Sequence, residues 1–162
     1  MKKQISKFIV TAALVISSTV SANALVDSSY NLDLTIQNLD TLASADLNVL
    51  VNKSDLVGER RQNFDLLTAQ YLNEVRLARQ NLINIQNQLN ISSASDSEAS
   101  DSSYKTGKLY QEAEAAIFDL ESKTINYLYS IQVIMPTVSY QKYSKKFRAF
   151  YNSFNFTNNE IK

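Results

Sequence analysis

Tyr140, Tyr143, Phe147, Phe150, Tyr151 and Phe154 recur at helical spacing near the end of this chain, and cations lie between them. At about 100° per residue the six rings fill roughly a third of a helix circumference. Lys142, Lys145, Lys146 and Arg148 take the remainder. Rings bordered by cations have three uses: lying on an anionic membrane, docking into a partner's groove, or walling a core while the lysines face water. Tyr140, Tyr143, Phe147 and Tyr151, with Lys142 and Lys146, are therefore the candidate partner-contact residues. The absence of tryptophan weakens the membrane use, because that side chain favours the lipid–water boundary.

The residue types that most often carry catalysis are missing. There is no histidine and no cysteine, which removes the usual general base, the thiol nucleophile and the imidazole and thiolate ligands of zinc, copper and haem. No cofactor and no metal site is expected. Ser139-x-x-Lys142, Ser153-x-Asn155 and Lys105-Thr106-Gly107 imitate the three motifs of penicillin-binding proteins and serine β-lactamases. Their order is wrong, since Lys-Thr-Gly precedes the serine, and nothing around Lys105 reads as the strand those enzymes need. Glu112 with Glu114, and Asp119 with Glu121, stand two residues apart and so diverge on a helix. Asp96, Glu98 and Asp101 resemble the start of a calcium loop, but the central glycine and closing glutamate are lacking.

Four apolar repeats supply the elements. Leu32, Ile36, Leu39, Ala43, Leu47 and Leu50 share one helix face, although Tyr30, Leu32, Leu34 and Ile36 also alternate as a strand would. Asn52-Lys53-Ser54-Asp55 is a turn in which Ser54 or Asp55 can cap the next helix. Phe64, Leu67, Tyr71, Val75, Ala78, Leu82, Ile85 and Leu89 predict a helix over 54–90, roughly 55 Å long. The Ser/Asp-rich run 92–103 has no apolar anchor and reads as a flexible loop. A third helix over 104–135 turns Leu109, Ala113, Ala116, Leu120, Thr124, Leu128, Ile131 and Met135 inward, until Pro136 stops it. The aromatic helix follows over 137–154, and 155–162 reads as a frayed tail.

Two short–long hairpins predict an all-α, up-down four-helix bundle. The long pair exceeds the short pair by about 20 Å, which lets it project as a two-helix coiled coil. Scarce Gly and Pro agree with long elements and few turns.

Residues 1–24 read as a cleaved export signal. Lys2, Lys3 and Lys7 form its basic head and Ala22-Asn23-Ala24 its small-x-small cleavage site. The apolar stretch from Phe8 to Val20 is about 13 residues, too short to span a bilayer. One helical domain, 25–162, remains. Acidic and basic residues balance at 16 each, and loss of the three signal lysines leaves the mature chain slightly acidic. No basic field exists to attract nucleic acid. The Asn, Lys and Ile usage has a bacterial character.

The segment Gly58-Glu-Arg-Arg-Gln-Asn-Phe-Asp-Leu-Leu-Thr-Ala-Gln-Tyr-Leu-Asn-Glu-Val-Arg-Leu-Ala-Arg-Gln-Asn-Leu resembles the coiled-coil repeat of TolC-type outer-membrane channel proteins. The likeness covers about a fifth of the mature chain. It implies long exported helices that pack against envelope machinery. The rest of the sequence lacks the strands of that family's β-barrel, so the likeness reads as convergence. The layout is also similar to helical, non-enzymatic subunits of bacterial secretion systems, with no motif behind the similarity.

The expected function is contact with another protein, in a bacterial periplasm or outside the cell, by a non-enzymatic bundle. A secretion-system or virulence-associated component and a chaperone-like holdase both fit. The alternative is a lipid-binding protein that makes weak membrane-surface contact through its last helix.

Overall fold

The computed structural model describes residues 31–94, 99–154 and 156, with 53, 93, 94 and 99–102 as backbone only. The expected export signal lies outside these residues. The fold is all-α with up-down helices, and no strand occurs among the described residues.

Helix α1 is Leu32–Ala43. Asn31 caps it: its side-chain oxygen accepts the Leu34 N–H at 3.0 Å, filling one of the donors that a helix start leaves open. That cap selects helix over the alternating strand pattern. Leu32, Ile36, Leu39 and Ala43 are buried, as their spacing requires. The helix does not continue to Leu50. Asp46 accepts the Asn48 N–H at 3.0 Å and restarts the chain as a 3-10 turn, Leu47–Leu50, which still buries Leu47.

A second 3-10 turn, Lys53–Asp55, leads to buried Leu56. Neither Ser54 nor Asp55 caps the next helix. Helix α2 is Glu59–Ala94 and starts behind Gly58, whose φ of 58° is left-handed. A side chain would be strained there by about 1–2 kcal/mol, so the chain's turn into α2 depends on glycine.

Helix α3 is Ala99–Ile134 and runs antiparallel to α2, as Thr68–Tyr127, Tyr71–Thr124 and Glu74–Lys123 contacts show. Each helix has 36 residues, or about 54 Å. The expected flexible loop 92–103 is corrected on both sides: Ser92–Ala94 complete α2, and residues 99–103 open α3. Once a helix is nucleated, each further residue adds a hydrogen bond for little extra ordering. Serines can therefore extend both helices without an apolar anchor. Asp96 and Glu98 lie outside the described residues, and Asp101 falls within α3.

Pro136 separates α3 from α4, Thr137–Asn152, and its carbonyl accepts the Tyr140 N–H at 2.9 Å. Helix α4 folds back on the α2–α3 hairpin and buries Tyr143, Phe147 and Tyr151. The expected frayed tail is corrected at Phe156, which is buried against Tyr151 at a ring distance of 5.2 Å.

Helix α1 lies antiparallel on α2. Arg76 donates to the Ala43 carbonyl at 3.2 Å, satisfying the end of α1. Arg79 pairs with Asp40 at 3.0 Å, and Gln86 donates to Asp33. Helix α1 meets the turn that follows α4 where Asn38 donates to the Phe154 carbonyl at 2.8 Å. Beyond the Asp33–Gln86 contact α2 continues only to Ala94, roughly 12 Å, so the projecting part is shorter than the length mismatch suggested.

Phe147 is fully buried, and truncating it to alanine is expected to lower unfolding free energy by about 3–5 kcal/mol. Lys146→Ala on the outer face should stay within about 0.5 kcal/mol. Urea unfolding of both variants checks the pair.

Candidate functional site

Two groups of side chains stand apart from ordinary bundle packing: a hydrogen-bonded set of interior tyrosines, and an apolar face of α3 that points outward.

The interior set joins three helices. Tyr127 of α3 shares a hydrogen bond with Thr68 of α2 at 3.0 Å and another with Tyr143 of α4 at 2.6 Å. Tyr71 of α2 pairs with Thr124 of α3 at 3.1 Å, and Thr124 also donates to the Leu120 carbonyl at 2.8 Å. The rings pack closely: Tyr71 stacks on Tyr127 at 4.5 Å, and Phe147 fits against Tyr71, Tyr127 and Tyr143 at 5.8, 5.5 and 5.9 Å. Phe64 meets Tyr143 edge-on at 5.6 Å. The Tyr151 hydroxyl is buried without completing a hydrogen bond.

This geometry turns three of the six expected contact residues inward. Tyr143, Phe147 and Tyr151 retain 1 %, 0 % and 3 % of their exposure and present no contact surface. Large rings bury much apolar area, and buried Thr68 and Thr124 supply hydroxyl partners that make phenols tolerable inside. Tyr140 is half-buried at the rim, while Lys142 and Lys146 are exposed. With the rings turned inward, the lysines of α4 lack the apolar partner face that a membrane-lying helix needs.

Sequence reasoning placed Tyr71 and Thr124 inward but missed Thr68, Ile117 and Tyr127. The spacing held the signal: Thr68 lies four residues after Phe64, and Tyr127 three after Thr124.

Burial raises the pKa of Tyr71, Tyr127, Tyr143 and Tyr151 above the ordinary phenol value, because the phenolate would lose its water. On the outside, Lys123 donates to Glu74 at 2.7 Å and also pairs with Asp119 at 3.0 Å. The Glu74 hydrogen bond is the main cause of its raised pKa. Lys123 and Glu74 border an open groove of about 200 Å³ between α2 and α3, in which Tyr71 and Tyr127 form part of the wall.

The second group lies across α3 from its core face. Phe118, Ile125, Tyr129 and Val133 are 68 %, 41 %, 62 % and 86 % exposed, and Tyr104 is 75 % exposed toward the hairpin tip. Steps of seven, four and four residues from Phe118 to Val133 align them on one helix face. Buried Leu120, Thr124, Tyr127 and Ile131 occupy the opposite side. Helix α3 therefore has two apolar faces, only one of them covered. The inward stripe alone accounts for the helical repeat of α3, so periodicity does not signal the second face.

The nucleophile-like motifs do not converge. Ser139 and Lys142 sit in the first turns of α4, while Lys105, Thr106 and Gly107 lie within α3 near its other end, about 40 Å away along the hairpin. Asn155 lies outside the described residues. Glu112 pairs with Lys108 at 3.5 Å, and Asp119 with Lys123. Among the described residues, no group of three His, Cys, Asp or Glu side chains is arranged to hold a metal, and no helix is long and apolar enough to cross a membrane.

Comparison with known protein families, with curated proteins and with solved structures finds no match to this chain. The likeness of 58–82 to a channel coiled coil rests on those residues alone.

The four raised phenol pKa values fix the sign of an alkaline effect. Below about pH 10 the phenols are neutral in both states, and their burial is not penalised. Above it the unfolded chain releases these protons while the folded protein holds them, so stability falls by about 1.4 kcal/mol per pH unit for each such tyrosine. Tyr143→Phe is expected to make unfolding above pH 10 shallower. Urea titrations at several alkaline pH values, followed by circular dichroism, measure the change in slope.

Proposed function

We propose that this is an exported, non-enzymatic helical bundle of a bacterium that acts by contact with another protein, in the periplasm or outside the cell. The observation that carries this reading is the uncovered apolar face of α3. Water-facing rings at Phe118 and Tyr129, continued by Ile125 and Val133, disfavour a free surface, and such patches commonly mark interaction sites. Single exposed apolar residues need no explanation; an aligned series on one helix does. The short basic head and the small-x-small site at Ala22–Ala24 support export. The dispersal of the nucleophile-like motifs supports a role without catalysis.

Within this reading the protein serves as a component of a secretion apparatus, a virulence-associated factor or a holdase. These roles share one requirement, an apolar surface kept available on a stable scaffold. The interior tyrosine set supplies the stability and the outer face of α3 supplies the surface.

A pull-down of the mature protein from its own cell envelope and culture medium, compared with a Phe118→Ser/Tyr129→Ser variant, tests the reading. Both positions are exposed, so the variant is expected to unfold within about 0.5–1 kcal/mol of the parent and to lose the specific partner. Identical capture by both proteins would remove the α3 face as the contact.

A further inference from the structure

Helix α4 holds four cations, Lys142, Lys145, Lys146 and Arg148, and no aspartate or glutamate. Around the helix axis the three lysines fall within about 100° of one another, away from the buried rings of Tyr143, Phe147 and Tyr151. All three are exposed, and none forms an ion pair among the described residues. Elsewhere cations are matched: Arg61 with Asp65, Arg79 with Asp40, Lys108 with Glu112, and Lys123 with Glu74 and Asp119. Asp65, Glu74 and Asp119, on the two helices behind α4, are therefore engaged already. Glu121 of α3 acts on the Tyr151 phenol, on the inner side of α4, and Asp46 accepts the Asn48 N–H. Arg148 flanks the lysines, half-buried, and its Nε completes no hydrogen bond.

From this we infer that the outer face of α4 takes a short acidic helix of a partner protein, its carboxylates one turn apart and set against Lys142, Lys145 and Lys146. The inference shares the reading of this chain as one that acts by contact with another protein, but it does not depend on the α3 face. The spacing fits. Side chains three and four residues apart on a helix stand about 5–6 Å from one another, so carboxylates at the same steps on a partner helix meet the lysines in register. Val138, Lys142, Lys145 and Ala149 follow at steps of four, three and four, the seam on which a second helix packs. Val138, 62 % exposed, gives that seam an apolar end. The rings beneath fix α4 on the hairpin, so the lysine stems rise from a held backbone. Size and charge select the occupant. From Val138 to Ala149 the seam runs about 16 Å, enough for a few turns of a partner. Residues 25–162 hold all 16 acidic residues of the chain but lack Lys2, Lys3 and Lys7, so the field beyond the patch is negative. An extended polyanion such as an anionic membrane meets that field together with the lysines, whereas a short segment feels chiefly the charges within ~8 Å at physiological salt. A second copy brings the same net negative charge and is repelled.

The test uses two labelled helical peptides that differ only in carrying glutamate or glutamine at steps of three and four along one face. Binding to the purified protein is read by fluorescence anisotropy at low and high salt. The glutamate peptide is expected to bind roughly tenfold more tightly than the glutamine peptide at low salt, and the preference should shrink as salt rises. In Lys142→Gln/Lys146→Gln it should fall at least about threefold. Glutamine is as good a helix former as lysine, and an unchanged helical spectrum shows that the fold is retained. Lys105→Gln/Lys108→Gln removes the same charge near the hairpin tip and should leave the preference in place. Equal binding of the two peptides overturns the inference. So does an equal loss in the two variants, which would trace the preference to net charge and not to α4. Co-sedimentation with vesicles of phosphatidylglycerol and phosphatidylcholine that Lys142→Gln/Lys146→Gln abolishes assigns the face to lipid and overturns it too. Self-association at low salt that the same variant abolishes assigns the face to a second copy, with the same consequence. None of these results bears on the α3 face, which the pull-down with Phe118→Ser/Tyr129→Ser tests separately.

Discussion

The hydrogen bond between Tyr127 and Tyr143, 2.6 Å long and buried, is the contact on which the arrangement of this bundle turns. It joins α3 to α4, and the Thr68 hydroxyl extends it to α2 at 3.0 Å. A phenol buried without a partner costs on the order of 1–3 kcal/mol. A shift of α4 by one residue along the hairpin would separate these hydroxyls and the rings beside them. Apolar packing alone tolerates many small displacements, whereas paired hydroxyls do not. The polar set thus selects one register for a helix whose stripe of six aromatic residues could otherwise slide.

The first and last helices are held differently. Helix α1 is fixed on α2 by apolar residues and by a border of polar contacts: Arg76 to the Ala43 carbonyl, Arg79 to Asp40, and Gln86 to Asp33. Exposed polar contacts of this type contribute little each, so Leu32, Leu39 and Leu42 carry most of the attachment. Helix α4 instead inserts its rings among those of α2 and α3. The hairpin therefore has a firmly keyed helix over one half and a more lightly held one over the other, while the outer side of α3 remains uncovered beside the keyed half.

Much of this was legible in the residues. Phe64, Tyr71, Val75, Leu82, Ile85 and Leu89 announced the inner face of α2, and Pro136 marked the break before α4. Local chemistry that competes with periodicity was harder to read. The apolar repeat ran through Leu47 and Leu50, yet Asp46 accepted a backbone N–H and restarted the chain. Ser54 and Asp55 looked like caps, but Gly58 with its positive φ set the start of α2. In 92–103 composition suggested a loop where two packed helices propagated into it. The last stripe was ambiguous for a different reason: six rings on a helix read the same whether they face a core or a partner. Only the position of Thr68 and Thr124, distant in sequence, decides for the interior. The second face of α3 is not legible as periodicity, because one inward stripe already accounts for that helix.

The Tyr71–Tyr127 pair also gives the molecule its own optical signature. The two rings lie 4.5 Å apart at 13° in a fixed chiral setting, and the chain has no tryptophan to overwhelm them. Coupling of their near-ultraviolet transitions depends on the alignment of α2 with α3, whereas the far-ultraviolet signal depends on helix content alone. A state that keeps its helices but loosens their packing would retain the second signal and lose the first. Each molecule thus reports the fit of its central hairpin in light absorbed by two of its own side chains.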